Sequence, residues 1–260
     1  MTIISGVFNL SPYRLDYAGV TDTGMVRKHN EDNFLVLEDS PVFCVADGAG
    51  GHANGAQASS LTLHSIKVLM DPVRMEAEDE TIPLFMSVDK APSTMLESAV
   101  LYANTMVYLD GAGQKMASTI VCCHFEDDLL HIAHVGDSRM YLYKDKDLQQ
   151  LSEDHSLVNM LYRQGEITKE EMRTHPRKNV IVRAIGMEKD VKVSVASRIY
   201  KSGDCYLLCS DGLTGMVTDD EISEVLQRNA DLTITCQIIL DMANQNGGRD
   251  NITFILIRVS

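Results

Sequence analysis

The sequence predicts an α+β fold in which antiparallel sheets and helices come from largely separate stretches of the chain. Two zones, residues 117–151 and residues 191–212, consist of β-rich runs that short polar turns interrupt. Short turns join antiparallel strands, whereas parallel strands need crossover connections of a dozen or more residues. Helical spacing of apolar residues appears mainly between these zones, so a parallel sheet of alternating strands and helices is not expected.

The two strand zones predict particular connections. The first predicts a meander that turns at Asp127-Asp128 and again over residues 144–147. The second predicts a hairpin about Lys201-Ser202-Gly203. The run NITFILIRV supplies a final strand over residues 251–259. All of these strands are expected to pair antiparallel.

Helix signals separate and follow the strand zones. Residues 54–70 carry apolar residues at helical spacing, and residues 232–246 form a second such run that ends at Gly247-Gly248. Three capping boxes of the form T-x-x-E predict further helix starts, at Thr94, Thr168 and Thr218. The acidic, proline-bearing residues 71–92 are expected to form a surface loop.

Composition limits the classes of function. The 260 residues fit one large domain, and 45% hydrophobic with 23% charged residues is typical of a globular chain with a sizeable core. The 23 Lys and Arg against 37 Asp and Glu give a formal net charge of −14. Nucleic acid is therefore not an expected partner, because phosphate backbones bind basic surfaces.

The cysteines and the amino terminus predict a cellular location. None of the six cysteines forms a C-x-x-C pair, and most lie in apolar runs, so we expect buried free thiols in a reducing compartment. The first residues, MTIISGVFNLSPYRLD, lack a basic stretch before an apolar one, and no apolar run approaches about 18 residues. A cytoplasmic protein without a membrane segment is expected.

The stretch VFCVADGAGGHANG, residues 42–55, suggests an alternative interpretation of the chain as a dinucleotide-binding protein. It contains G-x-G-x-x-A, the dinucleotide-binding fingerprint, after a strand-like run and before a helix-like one. That fingerprint belongs to parallel sheets with crossover helices, and Asp47 would repel a bound pyrophosphate. The antiparallel pattern therefore disfavours a nucleotide-binding dehydrogenase, and we expect the glycines to let the backbone turn sharply after Asp47.

Aspartates recur at the ends of predicted strands. Asp47, Asp137 and Asp211 follow apolar runs, and Asp250 precedes the last one. A carboxylate at the end of an apolar strand is partly desolvated, which costs free energy unless a positive charge compensates it. The four carboxylates are therefore predicted to converge on a cation. Oxygen ligands select Mg²⁺ or Mn²⁺, and the Gly48 carbonyl could supply one more oxygen.

Eight motifs, in order over about residues 13–258, resemble the metal-dependent Ser/Thr protein phosphatases (PPM, type 2C) in their bacterial form. They are RKHNEDN, VADGAGGHANG, MASTIV, HVGDSRMYLY, LSEDHS, HPRKNVIVRAIG, LLCSDGLTGMV and GGRDNIT. The resemblance implies a four-layer α-β-β-α sandwich of two antiparallel sheets flanked by helices. It also implies a single catalytic domain over residues 1–260, with a flap at about residues 154–186.

The resemblance assigns the metal ligands. Asp47 would bridge two Mn²⁺ or Mg²⁺ ions and Gly48 would add its carbonyl. Asp211 and Asp250 would complete the first ion, and Asp137 with Asp211 would hold a third.

The resemblance also implies an activity. Asp32, with Glu31 nearby, would orient metal-bound water, and Arg27 would grip the substrate phosphate, because a planar guanidinium suits phosphate oxygens. A metal-bridging water or hydroxide would attack phosphoserine or phosphothreonine of a phosphoprotein directly. A partner Ser/Thr kinase and a monomeric state are implied as well. The alternative is a catalytically weak phosphate-binding regulator on the same fold, against which the retained ligand residues argue.

Several positions depart from the family pattern or invite other roles. Ala49 stands where eukaryotic relatives carry a histidine that is a candidate general acid, so metal-bound water is expected to protonate the leaving oxygen. Gly215 replaces an acid that some relatives use at the third ion. His52, His155 and His175 are interpreted as structural residues.

Overall fold

The computed structural model describes residues 1–50, 53–71, 94–111, 116–228 and 230–260. Nearly all of the predicted surface loop at residues 71–92 lies outside these ranges, as does His52. Within them, no helix is long and apolar enough to cross a membrane.

The described chain forms twelve strands and seven helices. The strands are β1 (Thr2–Leu10), β2 (Tyr13–Asp22), β3 (Asp32–Val36), β4 (Val42–Ala49), β5 (Ala117–Ser118), β6 (Ile120–Glu126), β7 (Leu129–Val135), β8 (Arg139–Lys144), β9 (Asp147–Gln150), β10 (Ser194–Ile199), β11 (Cys205–Cys209) and β12 (Ile252–Val259). The helices are α1 (Ala53–Met70), α2 (Met95–Asp110), α3 (Leu157–Arg163), α4 (Lys169–Thr174), α5 (Asp211–Thr214), α6 (Asp219–Arg228) and α7 (Leu232–Gln245).

The strands form two sheets, which we call sheet one and sheet two. Sheet one has the order β1-β2-β12-β11-β8-β9, and sheet two has the order β10-β7-β6-β4-β3, with β5 paired to β4. Every strand pair in the described chain is antiparallel. The dinucleotide interpretation of residues 48–53 is therefore excluded on topology, because it requires a parallel sheet.

Helices cover the outer face of each sheet, as the α-β-β-α expectation requires. Along β4, Val42, Cys44 and Ala46 pack towards α1 and α2, whereas Phe43 and Val45 pack between the sheets. This two-residue alternation buries both faces of the strand and explains its continuous apolar run. On the other side, α6 and α7 pack on sheet one. The predicted four-layer sandwich is confirmed.

The predicted helix starts are confirmed with their caps. The Thr168 and Thr218 hydroxyls accept from the backbone N–H of Glu171 and Glu221, whose carboxylates accept from the backbone N–H of the same threonines. Thr94 caps α2 in the same way through its hydroxyl. All six cysteines are buried and free.

The predicted turns at Asp127-Asp128 and over residues 144–147 are confirmed, since they join the antiparallel pairs β6–β7 and β8–β9. Two other predicted connections are wrong. β7 and β8 do not pair as a meander would require, because the chain passes from sheet two to sheet one at residues 136–138. β10 and β11 likewise belong to different sheets, so Lys201–Gly203 is a crossing and not a hairpin turn. The buried Asp204 carboxylate holds this crossing by accepting from the Lys201 N–H and the Lys144 ammonium. Local turn signals resemble hairpins here because both crossings are short.

The turn expected after Asp47 begins at the second glycine of the stretch, Gly50, and not at Gly48. β4 continues through Gly48 to Ala49, and the left-handed backbone conformation first occurs at Gly50, with φ of 148°. Gly48 is needed because a Cβ there would collide with the Gly55 carbonyl in the first turns of α1. The glycine therefore permits close approach of two backbones.

Candidate functional site

The predicted carboxylates lie at one end of the sandwich, where the chain passes between its sheets. Asp32 and Asp47 are directly opposed cross-strand partners on β3 and β4 of sheet two. Asp211 begins α5 immediately after β11, and Asp250 precedes β12, both in sheet one. Asp137 lies in the crossing from β7 to β8. Both sheets therefore contribute acids to the same end.

The backbone of Asp47 is fixed by the segment that follows Met116. The Thr119 hydroxyl accepts from the Asp47 N–H at 3.0 Å, and the Ser118 hydroxyl donates to the Asp47 carbonyl at 3.1 Å. The Thr119 hydroxyl also lies 2.7 Å from that of Ser138, which follows Asp137. Ser118 and Thr119 thus give the MASTIV motif a positioning role that sequence reasoning missed.

Asp137 carries an unsatisfied buried oxygen. Its side chain is buried, and its Oδ1 has no hydrogen-bond partner among the described residues. Burial, followed by repulsion from Asp211 and Asp154, raises the pKa of Asp137 to about 8. A buried carboxylate oxygen without a partner is costly, and a cation is the partner that would satisfy it.

The other site carboxyls repel one another as well. Burial and the charges of Asp32, Asp211, Asp137 and Asp250 raise the pKa of Asp47 well above its ordinary value. Burial raises the pKa of Asp32 to about 7, although the Ser210 hydroxyl donates to its Oδ2 at 2.7 Å. Like charges gathered in a desolvated place raise carboxyl pKa values, and a divalent cation reverses that effect.

The residues present fit a hard divalent ion. The donors are carboxylate and carbonyl oxygens, which favour Mg²⁺ or Mn²⁺ over softer metals. In the described part of the chain no group of three or more His, Cys, Asp or Glu is already arranged to hold an ion. An ion held by fewer carboxylates would complete its coordination with backbone carbonyl and water oxygens.

Arg27 reaches the cluster from the segment between β2 and β3. Its Nη2 donates to Asp250 Oδ2 at 2.7 Å, and about half of its side chain remains exposed. The guanidinium thus lies beside Asp250 at the exposed edge of the carboxylate cluster.

Asn251 fixes the segment that carries Arg27 and Glu31. Its Nδ2 donates to the carbonyls of Thr23 and His29, and its Oδ1 accepts from the Glu31 N–H at 2.8 Å. Glu31 also contributes its backbone carbonyl, which accepts from the Gly48 N–H at 3.2 Å. Sequence reasoning gave Asn251 no role, although it directly follows Asp250 in the GGRDNIT motif.

His155 is a structural residue, as interpreted. Its Nδ1 accepts from the Gly136 N–H at 3.0 Å, and its ring stacks on His134 at 4.8 Å between centroids. Burial, followed by the charges around it, lowers the pKa of His155 to about 3, so the ring is neutral and able to accept. It holds Gly136 in a left-handed conformation, with φ of 110°, next to Asp137.

The remaining departures have simpler explanations. Ala49 lies directly opposite Ala117 across the β4–β5 pair, so two small side chains face each other. His175 caps a turn by accepting the Arg177 N–H on its Nδ1. Gly215 ends α5, close to Asp211, and offers no carboxylate.

The raised carboxyl pKa values predict how the stability of the metal-free protein depends on pH. The folded-state pKa values of Asp32 and Asp137, about 7 and about 8, lie above the ordinary 3.8. Below the unfolded pKa each carboxyl is neutral in both the folded and the unfolded protein, and its contribution to stability is fully present. As pH rises through the folded pKa, the carboxyl ionises inside the cluster and the folded state loses that stability. In chelator, Tm should therefore fall between pH 5 and pH 8, by about 2–4 °C per kcal/mol lost.

Thermal melts in chelator at several pH values test this expectation. Asp137→Asn removes one of the titrating groups and should therefore flatten the dependence of Tm on pH. A dependence caused only by the general repulsion of an acidic chain would stay nearly the same in this variant. Added Mn²⁺ should reverse the trend, since the ion competes with protons. A Tm that does not change between pH 5 and pH 8 would contradict the assignment.

Comparison with known proteins identifies the family. The family model described as Protein phosphatase 2C matches residues 26–239. The serine/threonine phosphatase stp of Listeria monocytogenes is 40% identical over 246 residues, which cover 91% of this chain and 93% of that protein. The protein phosphatase PhpP of Streptococcus pneumoniae is 31% identical over 93% of this chain and 96% of that protein.

Solved structures agree with the sequence relatives. The serine/threonine phosphatase Stp1 of Staphylococcus aureus has a TM-score of 0.81 at 31% identity, with 95% of each chain covered. The catalytic domain of PstP, solved with two manganese ions, has a TM-score of 0.79 at 31% identity, covering 95% of this chain and 99% of that one. By motif order, fold and these matches, the chain belongs to the protein phosphatase 2C family of metal-dependent Ser/Thr phosphatases.

Proposed function

We propose that this chain hydrolyses phosphoserine and phosphothreonine in phosphoproteins. The observation that carries the proposal is the gathering of five mutually repelling carboxyls, one with an unpartnered buried oxygen, beside the half-exposed guanidinium of Arg27. Such a cluster binds divalent cations, and the guanidinium binds a phosphate next to them. A phosphate-binding regulator would need the guanidinium but not all of the carboxylates.

The ion-binding roles follow the position of each oxygen. Asp47 and the Gly48 carbonyl, on β4 of sheet two, would bind the ions from one side. Asp211 and Asp250, next to β11 and β12 of sheet one, would bind them from the other side. Asp137 would hold a third ion with Asp211, without an acid at position 215. When bound, the ions supply Lewis acidity, which lowers the pKa of water and offsets charge on the phosphoryl oxygens. We infer two Mn²⁺ or Mg²⁺ ions and a third site at Asp137 and Asp211. The two manganese ions in the PstP structure support the first two.

The chain's own residues would bind the substrate and orient the attacking water. Arg27 would hold two phosphoryl oxygens in its planar fork, which places phosphorus in front of the carboxylate cluster. Asp32, held by the Ser210 and Thr253 hydroxyls, would accept a further hydrogen bond from the attacking water. Glu31 would support this arrangement through the backbone contacts already described. The Ala49 side chain cannot donate a proton to the leaving oxygen, and we infer that water donates it instead.

The cellular setting is inferred from composition and relatives. We infer a monomeric cytoplasmic enzyme, with residues 1–260 forming one catalytic domain and residues 154–186 its flap. The six buried free thiols support a reducing compartment. The relatives named as Ser/Thr phosphatases support a cognate Ser/Thr kinase whose phosphorylation this enzyme reverses.

Hydrolysis of p-nitrophenyl phosphate and of a phosphothreonine peptide tests the activity. Both should be hydrolysed with Mn²⁺ and neither after chelation. A protein that binds inorganic phosphate but releases none from either substrate would be the regulator instead.

Arg27→Ala should weaken phosphate binding more than it slows turnover. A charge-assisted contact is worth about 1.5–3 kcal/mol, which corresponds to a rise of roughly tenfold or more in KM for a phosphopeptide. Lys28→Ala is the matched control, since Lys28 is an exposed neighbouring cation. Steady-state kinetics that give the two variants the same KM would show that Arg27 is only a surface charge.

A further inference from the structure

A groove leads away from the carboxylate cluster towards the flap. Its volume is about 660 Å³, and it extends from Asp137 and Asp211 to side chains of α3 and α4. The end of β9 and the segment after α5 line it as well. Because the groove begins at Asp137 and Asp211 of the carboxylate cluster, a peptide whose phosphate is held beside that cluster would place its neighbouring residues in this groove.

The acidic side chains along the groove already have partners. Arg139 donates to both carboxylate oxygens of Asp154, at 2.7–3.0 Å, and Arg163 forms an ion pair with Glu153. Asp219 accepts from the Tyr141 hydroxyl at 3.3 Å. Arginines therefore offset the charges of Asp154 and Glu153, whereas Asp219, whose partner is a neutral hydroxyl, keeps its negative charge.

Three cations on the flap side of the groove lack such partners. Lys169, Arg173 and Lys178 line the groove and are exposed, and none forms an ion pair with another described residue. After the hydrogen bonds from Thr218, the Arg173 charge contributes to lowering the pKa of Glu221 at the start of α6. Arg173 therefore lies near an acid at the start of α6 without forming a direct ion pair with it. In a chain of net charge −14, a local group of unpaired cations beside the reaction site favours an acidic ligand.

We propose that Lys169, Arg173 and Lys178 select phosphoprotein segments that carry Asp or Glu close to the phosphorylated residue. This inference rests on the proposed phosphatase function and names the sequence class of its substrate. An extended peptide advances about 3.3 Å per residue, so acids within a few positions of the phosphoresidue would lie in the groove. The cations would attract these acids during encounter and hold them after binding.

Matched phosphothreonine peptides test the selectivity. One peptide has neutral flanks, and the others have Asp and Glu, or Lys, before or after the phosphothreonine. With Mn²⁺, kcat/KM for wild type should favour at least one acidic peptide by about threefold to fivefold per contact, the upper range of an exposed ion pair. The preference should weaken at high salt, which screens exposed charges.

Charge-removing variants show which cations carry the preference. The ratio of kcat/KM for acidic and neutral peptides should fall to about one in the triple variant Lys169→Gln, Arg173→Gln, Lys178→Gln. The control triple Lys67→Gln, Lys189→Gln, Lys201→Gln removes the same charge from exposed positions outside the groove lining and should keep the ratio.

Each outcome separates the two proposals. Equal cleavage of all peptides by wild type, or a preference that survives the flap triple variant, would overturn the selectivity and leave the phosphatase function standing. A wild type that hydrolyses neither peptides nor p-nitrophenyl phosphate would refute the proposed function, and the selectivity with it.

Discussion

Asp47→Asn should reduce phosphatase turnover by at least about 10³-fold, equivalent to roughly 4 kcal/mol of transition-state stabilisation. The amide keeps the shape of the side chain but removes the charge that would hold two ions. The same change should raise the Tm of the chelated protein by a few degrees, because one of five repelling carboxyls is gone. A residue that binds metal but lowers the stability of the metal-free fold should show this combination: its removal abolishes activity and raises the Tm of the chelated protein.

Turnover, thermal melts in chelator and the Tm increase on adding Mn²⁺ measure the three effects. Asp128→Asn, in the exposed β6–β7 turn, is the control and should change none of them appreciably. Turnover of Asp47→Asn within about tenfold of wild type would exclude the assigned role. A fall in chelated Tm would show that Asp47 stabilises the fold instead.

Asp154→Asn should lower the free energy of unfolding by about 2–4 kcal/mol and Tm by roughly 5–15 °C. Asp154 is largely buried and accepts three hydrogen bonds from Arg139, whose side chain is 27% exposed. Neutralising the acid leaves a mostly buried guanidinium without its counter-charge. Because Asp154 is the first residue of the proposed flap, the change should also loosen the start of the flap.

Glu153→Gln is the matched control, one residue away. Glu153 pairs with Arg163 on the surface, where both side chains are more than half exposed. An exposed pair contributes less than about 1 kcal/mol, so Tm should move by only a few degrees. Similar shifts for the two variants in thermal melts would mean that the Arg139–Asp154 pair is solvated and structurally unimportant.

The site carboxylates could be predicted from the sequence because each one breaks an apolar run at a strand end. An acid in that position is conspicuous, and Asp47, Asp137, Asp211 and Asp250 do lie together. Asn251 is not conspicuous, since an asparagine beside an aspartate is an ordinary turn residue. Its role depends on three backbone groups of the segment at residues 23–31, which are remote in sequence.

The helices and the layer arrangement could be predicted for a similar reason, but two strand connections could not. Capping boxes and helical spacing are local signals, and Thr94, Thr168 and Thr218 do begin helices. Whether β8 pairs with β7 or with β11 depends on partners more than sixty residues away in sequence. Turn residues at 136–138 and 201–203 are compatible with either outcome, so the sequence alone does not distinguish a hairpin from a passage between sheets.

The origin of the carboxylates in two different sheets has a mechanical consequence. An ion bound by Asp47 of sheet two and by Asp211 or Asp250, next to sheet one, would connect the two sheets at one end of the sandwich. The interior between the sheets is held by apolar packing, and a coordinated ion would add a directional polar link between the two layers at one end. Its binding free energy would then be distributed over both halves of the chain, so that they unfold together. The cofactor that performs chemistry would in this way also determine how rigidly the two walls of the substrate groove face each other.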